Sequence, residues 1–263
     1  MSVDLLLLEV GAGVARVELN RAEVRNAFNE RLIGEITQIF FELGQRDDVR
    51  CIILAANGTA FCAGADLNWM RSMADYTREE NLADAERLAA MMRTVYECPK
   101  PIIAKIQGDV YAGGTGLVAV CDMAVAVDTA HFCLSEVKLG LVPSTISPYV
   151  IRAMGARAAH RYFLTAERFS AAEALRIGFV HEVVAADALN AKVAELSTAL
   201  VNAGPEAVKL CKKLVQDVAG KDITPELVDM TIASIADVRV SAEGREGLQS
   251  FLQKRKPNWL PHA

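Results

Sequence analysis

Glu136 stands in the segment Phe132-Cys133-Leu134-Ser135-Glu136-Val137-Lys138-Leu139-Gly140-Leu141-Val142-Pro143, an acid among mostly apolar side chains. Burial disfavours a charged carboxylate and raises its pKa, which suits a general acid or base. The plain alternative is a surface acid paired with Lys138. Two loops of small residues are candidate partners for it. Phe61-Cys62-Ala63-Gly64-Ala65-Asp66-Leu67 lets a ligand approach the backbone closely, and its N–H groups can serve as anion donors. Taken alone, it reads more readily as a tight strand-to-helix connection. Ala112-Gly113-Gly114-Thr115-Gly116 precedes a short helix that ends at Cys121-Asp122. The first N–H groups of a helix are unpaired and can stabilise a developing oxyanion. No Lys-Ser/Thr follows this loop, so it is not a Walker phosphate loop, and it does not fit G-x-G-x-x-G. A close-packed glycine turn is the ordinary alternative.

The elements that must position these loops follow from hydrophobic period. Leu5–Val10 and Val14–Asn20 read as two strands joined at Gly11-Ala12-Gly13. Phe28, Leu32, Ile36, Ile39, Phe40 and Leu43 recur at helical spacing, which predicts an amphipathic helix over 29–46. Cys51–Ala55 and Ile102–Ile106 are continuous apolar runs, as in strands covered on both faces, and another strand lies around Met123–Val127. Residues 57–66 and 108–116 read as loops. A long polar helix carries Leu82, Leu88, Met92 and Val95 and stops before Pro99 and Pro101. This alternation argues for parallel crossovers and an α/β class. Beyond about residue 186 the pattern is helical: 187–202, 205–218, 224–238 and 241–254. We therefore divide the chain into a core over 1–185, which carries the candidate site, and a helical region over 186–263.

Composition excludes several classes. The chain has 263 residues, enough for one large core without disulfides or metals. Its net charge of −5 lacks the basic excess of a nucleic-acid binder. No apolar stretch is long enough to span a bilayer, and no Lys or Arg precedes Leu5–Leu8, so neither a membrane helix nor a signal or transit peptide is expected. Six cysteines without C-x-x-C spacing and four scattered histidines predict buried free thiols, no metal and a cytoplasmic setting.

Taken in order along nearly the whole chain, these features resemble the crotonase (enoyl-CoA hydratase/isomerase) family. The resemblance runs through Leu19-Asn20-Arg21, Asn26-Ala27, Phe61–Leu67, Ile103-Ala104-Lys105-Ile106-Gln107-Gly108, the glycine loop, Cys121-Asp122 and Ser135–Pro143. It continues through Leu164-Thr165-Ala166-Glu167, Gly178-Phe179-Val180 and Phe251–Lys256. It implies a ClpP-like spiral of ββα units followed by helices that trimerise, as a homotrimer or a dimer of trimers. It also implies chemistry on an acyl-CoA thioester, with coenzyme A as part of the substrate and no separate cofactor. The oxyanion-hole amides then fall on Ala65 and Gly113, and the acid–base group on Glu136. The coenzyme A surface maps onto Val24, Arg25, Ala63, Asp66 and Leu67, with Phe251 and Lys254 supplied by a neighbouring subunit.

One position departs from the family. Typical hydratases of this family hold water between two glutamates; Glu136 matches the second, and the first, twenty residues earlier, is Gly116. That loss makes double-bond isomerisation with one glutamate a competitor. Against it, Ala63–Met70, Phe132–Leu141 and Ile146–Ile151 are similar to bacterial methylglutaconyl-CoA hydratases of leucine breakdown and to isohexenylglutaconyl-CoA hydratases of acyclic-terpene breakdown. Hydration of a branched, dicarboxylic enoyl-CoA is the expectation, with Arg71, Lys138, Ser144 and Thr145 as candidate partners for a substrate carboxylate and Tyr111 of undetermined orientation.

Overall fold

The computed structural model of the chain describes residues 5–260. Strands β1 (Leu6–Gly11) and β2 (Val14–Leu19) form an antiparallel hairpin, and β2 alternates buried and half-buried residues as a one-sided strand should. Helix α1 (Glu30–Gln45) starts where the Asn29 side chain accepts the Leu32 N–H at 2.8 Å, and it buries Leu32, Ile33, Ile36, Phe40 and Leu43. β3 (Cys51–Ala56) is followed by β4 (Ala60–Cys62), α2 (Leu67–Ala74) and α3 (Arg78–Glu97). β5 (Ile102–Ile106) leads to β6 (Asp109–Tyr111) and α4 (Gly113–Ala119). β7 (Met123–Val127) leads to β8 (His131–Cys133), a 3-10 turn over Glu136–Leu139 and α5 (Ser147–Thr165). β9 (Phe169–Ser170), α6 (Ala171–Arg176) and β10 (Glu182–Val184) close the α/β part.

Among the described residues the strands form two sheets, in the orders β1-β2-β3-β5-β7-β10 and β4-β6-β8-β9. In the three pairs β3-β4, β5-β6 and β7-β8 the first strand joins the large sheet and the second joins the small one, while β1 and β2 both lie in the large sheet. From β2 to β10 the large sheet is parallel, and β4, β6 and β8 are parallel in the small one. This is the spiral of ββα units expected for a crotonase fold. The core between the layers is built from Leu54, Phe61, Ile103, Val125 and Phe132, all without solvent exposure.

The segments 57–66 and 108–116, expected to be loops, contain β4, β6 and most of α4. Strands of three residues are too short to show a period of two, and Ala60-Phe61-Cys62 and Asp109-Val110-Tyr111 lack a β-branched run. The expected long polar helix is α3, which Thr77 opens through a capping box with Glu80; the shorter α2 precedes it.

Helices α7 (Leu189–Asn202), α8 (Pro205–Val218), α9 (Pro225–Val240) and α10 (Ala242–Leu252) follow. Leu189 and Val193 of α7 are part of the main core, while α10 packs on α8 and α9. Lys212 of α8 fastens this region to the sheet: its Nζ donates to Asp122 Oδ2 at 2.7 Å and to the Lys100 carbonyl at 3.1 Å.

Candidate active site

Because β4, β6 and β8 are parallel neighbours, their C-terminal ends lie side by side. Ala63–Asp66 and Ala112–Gly113 directly follow the ends of β4 and β6, and Ser135–Glu136 follow the end of β8 after Leu134. Strand pairing thus brings together three segments that are well separated along the chain. Local contacts tighten the assembly. The Ala112 N–H donates to the Cys133 carbonyl at 2.8 Å. A Cβ at Gly64 (φ +87°) would sit 2.9 Å from Ala112 Cβ, so only glycine permits this approach of the two loops.

The Ala65 amide is aimed by its neighbours. Phe28 N–H donates to Gly64 O at 2.7 Å and Asp66 N–H donates to Phe28 O at 2.8 Å, a parallel bridge that leaves the Ala65 N–H out of the pairing. Gly113 opens α4, where the first N–H groups have no intrahelical acceptor. Ala112 before it has φ 46° and ψ −123°, a conformation costly for a residue with a Cβ; it is held by Thr115, whose N–H and Oγ1 donate to Ala112 O at 2.8 and 2.7 Å. Among the described residues neither the Ala65 nor the Gly113 N–H has an acceptor.

Glu136 starts the 3-10 turn after β8. Its Oε2 is buried and has no hydrogen-bond partner among the described residues. Burial pushes the carboxyl above its ordinary value, and a bond from its own backbone N–H offsets this only in part. Cys62 lies beside the site, but burial raises its thiol to about 12, so it offers no thiolate at neutral pH.

Gly116 lies one turn into α4 and is buried. A Cβ there would come within 2.7 Å of Ile146 Cβ and 3.1 Å of Met92 Cε. The space next to this position is therefore filled by Ile146, the residue preceding α5, and by Met92 of α3.

The residues expected to contact coenzyme A fall into two groups. Val24 and Arg25 are exposed and adjoin Ala63, whose N–H donates to Arg25 O at 3.0 Å; Leu67 is exposed beside them. Asp66 belongs to this group, but its carboxylate is occupied. Oδ1 accepts the Asn68 N–H as the cap of α2, and Oδ2 accepts Arg21 Nη2 at 2.9 Å. Burial pushes Asp66 up, and these two bonds more than offset it, holding the carboxyl below its usual range. Phe251 and Lys254 form the second group, exposed at the end of α10 in the helical region.

Of the candidates for a substrate carboxylate, Arg71 Nη1 donates to Asn68 Oδ1 at 2.6 Å, and Lys138 and Ser144 are exposed. Tyr111 faces the Arg168 guanidinium, 5.9 Å from its ring centre. Sequence reasoning assigned no role to four residues around the site: Arg21, Trp69, Asp84 and Ile146. Trp69 Nε1 donates to the buried Asp84 at 3.2 Å, and Arg87 bridges Asp84 to Glu30, which ties α2 to α3 and α1. A buried acid in the otherwise polar stretch of α3 has no sequence signal that separates it from the exposed acids around it.

Among the described residues no group of His, Cys, Asp and Glu could hold a metal ion, and His262 lies outside them. No described helix is long and apolar enough to cross a membrane.

Known proteins share this fold. A crotonase-type chain from Legionella pneumophila superposes with a TM-score of 0.93 at 46% identity, covering 98% of this chain and 100% of that one. An enoyl-CoA hydratase from Shewanella pealeana superposes at 0.94 with 44% identity, covering 97% and 96%. Enoyl-CoA hydratase AKT6-1 of Alternaria alternata is 33% identical over 93% of this chain and 80% of its own length. The family model for enoyl-CoA hydratase/isomerase matches residues 9–261, and the chain belongs to that family.

Proposed function

We propose that the chain is a hydro-lyase that adds water across the 2,3 double bond of an enoyl-CoA, with 3-methylglutaconyl-CoA as substrate and 3-hydroxy-3-methylglutaryl-CoA as product. The observation that carries this reading is a buried, unpartnered carboxylate oxygen at 136 beside two strand ends whose amides at 65 and 113 have no acceptor. Glu136 takes a proton from water as the oxygen bonds to C3. The electron pair of the double bond moves to the thioester oxygen, held by the Ala65 and Gly113 N–H groups more tightly as it gains charge. Glu136 then returns a proton to C2, and the enolate collapses to the thioester. The five-residue surface at Val24, Arg25, Ala63, Asp66 and Leu67 suits coenzyme A, with Asp66 acting through its backbone because its carboxylate is engaged. Phe251 and Lys254 join from a second copy in a homotrimer or a dimer of trimers. The cysteines, free in the structure, suit a cytoplasmic place of action in leucine catabolism.

A specific observation favours a second reading. With Ile146 and Met92 packed at Gly116, a second carboxylate has no room. Glu136 alone suffices for a Δ3–Δ2 isomerase, taking a proton from C2 and returning it to C4. In the hydratase reading, the distal carboxylate of a glutaconyl substrate replaces the missing acid; isohexenylglutaconyl-CoA offers the same group.

Purified protein tested with 3-methylglutaconyl-CoA, crotonyl-CoA and a 3-enoyl-CoA separates these. A product heavier by one water supports hydration; an unchanged mass with a moved double bond supports isomerisation. Equal kcat/KM for the glutaconyl substrate and an equally branched one without the distal carboxylate overturns the substrate-assisted step. Glu136→Gln should lower kcat by at least about 10²–10⁴-fold, and near-wild-type turnover refutes the acid–base assignment.

A further inference from the structure

Arg21 follows β2 and is almost withdrawn from water, with its side chain 11% exposed against 8% for Asp66. Its guanidinium grips two separate segments: Nη2 donates to Asp66 Oδ2 at 2.9 Å and Nη1 to the Ala27 carbonyl at 2.5 Å. Its backbone is fixed as well, because the Arg21 N–H donates to Asn26 Oδ1 at 2.9 Å and its carbonyl accepts the Asn26 N–H at 2.9 Å. The two gripped residues are informative. Ala27 immediately precedes Phe28, and Asp66 immediately follows Ala65. Phe28 and Ala65 are the two partners of the bridge that leaves the Ala65 amide without an acceptor. The Phe28 ring also borders Gly113, where a Cβ would meet its Cε2 at 3.1 Å. One side chain therefore spans the outside of the pairing that aims the first amide and walls the second.

We propose that Arg21 is a positioning residue of the acyl-CoA reaction: by holding Asp66 and Ala27 together it keeps the Ala65 and Gly113 amides trained on one thioester oxygen. This rests on the oxyanion reading above. Arginine suits the task because its planar fork reaches a carboxylate and a carbonyl on different segments at once, whereas lysine offers a point charge. A role in stability alone predicts something different: lost activity would then follow lost folded protein, and the bound carbonyl would be unchanged.

The test uses Arg21→Lys with an acyl-CoA carrying ¹³C at the thioester carbonyl, read by infrared difference spectroscopy on the bound ligand together with kcat and KM. In the wild type the bound carbonyl stretch should move to lower frequency than in free ligand. In the variant it should return toward the free position, with kcat lower by about 10²-fold and KM changed less than about threefold. Added guanidinium should restore part of the shift and of kcat in Arg21→Ala. If Arg21→Lys fails to fold, Asp66→Asn carries the same two readouts, since an amide still caps α2 while weakening the grip. A wild-type shift that persists in the folded variant, or a kcat loss matched by the loss of folded protein, overturns the Arg21 assignment alone. A wild-type carbonyl that does not shift overturns the oxyanion reading beneath it.

Discussion

At the scale of single residues, Glu136 is held in a form that helps chemistry and works against stability. Its folded-state pKa lies above the ordinary glutamate value, mainly through burial. A raised acid binds its proton more tightly folded than unfolded, so its contribution to stability is greatest below the unfolded pKa and declines as pH rises through the folded one. At neutral pH, Glu136→Gln should therefore keep or slightly raise Tm while abolishing turnover, a combination that scanning calorimetry beside an activity assay reads directly. A fall of several degrees would mean that the carboxylate has a structural partner. The same shift predicts that kcat/KM declines as pH falls through a value above the usual carboxylate range, as the base form is lost. Gly116 gives the opposite case. Gly116→Ala inserts a methyl against Ile146 and Met92 and should cost about 1–3 kcal/mol by overpacking, measured by urea denaturation. Ile146→Ala in the same chain should recover part of it; strict additivity of the two changes would show that Ile146 is not what closes this space.

At the scale of elements, the site depends on how the segment 21–28 is tied to β4. Asn26 is fully buried in a left-handed conformation (φ 56°), and its Nδ2 donates to Asn57 O at 2.8 Å and Ala60 O at 2.9 Å. Asn26→Asp has the same shape but no donor, so it sets an acceptor against two carbonyls. Each buried polar group left unpaired costs about 1–3 kcal/mol, so the variant should lose more stability than Asn29→Ala, which removes only the α1 cap for about 1 kcal/mol. Equal losses in a denaturation series would refute the tie. This segment also shows what the sequence disclosed. Ile102–Ile106, Met123–Val127 and the helix at 205–218 were legible to the residue because the two strands are mostly apolar runs and the helix opens on Pro205 with an amphipathic period. The small sheet was not. Its strands are two or three residues long, too short to show a period, yet it is the sheet whose ends carry the candidate site. Ala65, Gly113 and Glu136 could be named through family likeness, while the pairing that places them side by side could not be read from any one segment. Arg21 lay within a recognised motif, but its task needs Asp66, forty-five residues away.

At the scale of the whole molecule, the helical region is joined to the α/β part by a buried pair and ends in an uncovered apolar face. Lys212 is the cation of that pair; burial raises Asp122 despite Lys212 and the Ile102 N–H, which both favour its charged form. Lys212→Met should cost about 2–3 kcal/mol, less than the ~3–5 of a fully enclosed pair because Asp122 retains 26% side-chain exposure. Beyond it, Val228, Ile232 and Ile235 recur at i, i+4 and i+7 on α9 and are exposed, as are Phe251 and Leu252 on α10. An apolar stripe of this kind is costly to leave in water, and in the proposed homotrimer or dimer of trimers a second copy of the chain covers it and brings Phe251 and Lys254 to the proposed coenzyme A surface. Native mass spectrometry should then give a multiple of three subunits. Ile232→Glu should dissociate it, and because two of the seven proposed coenzyme A contacts, Phe251 and Lys254, are assigned to the neighbour, the loss should appear as a raised KM with Glu136 chemistry intact. A monomeric wild type with the same KM for acyl-CoA would show that one chain completes the surface alone.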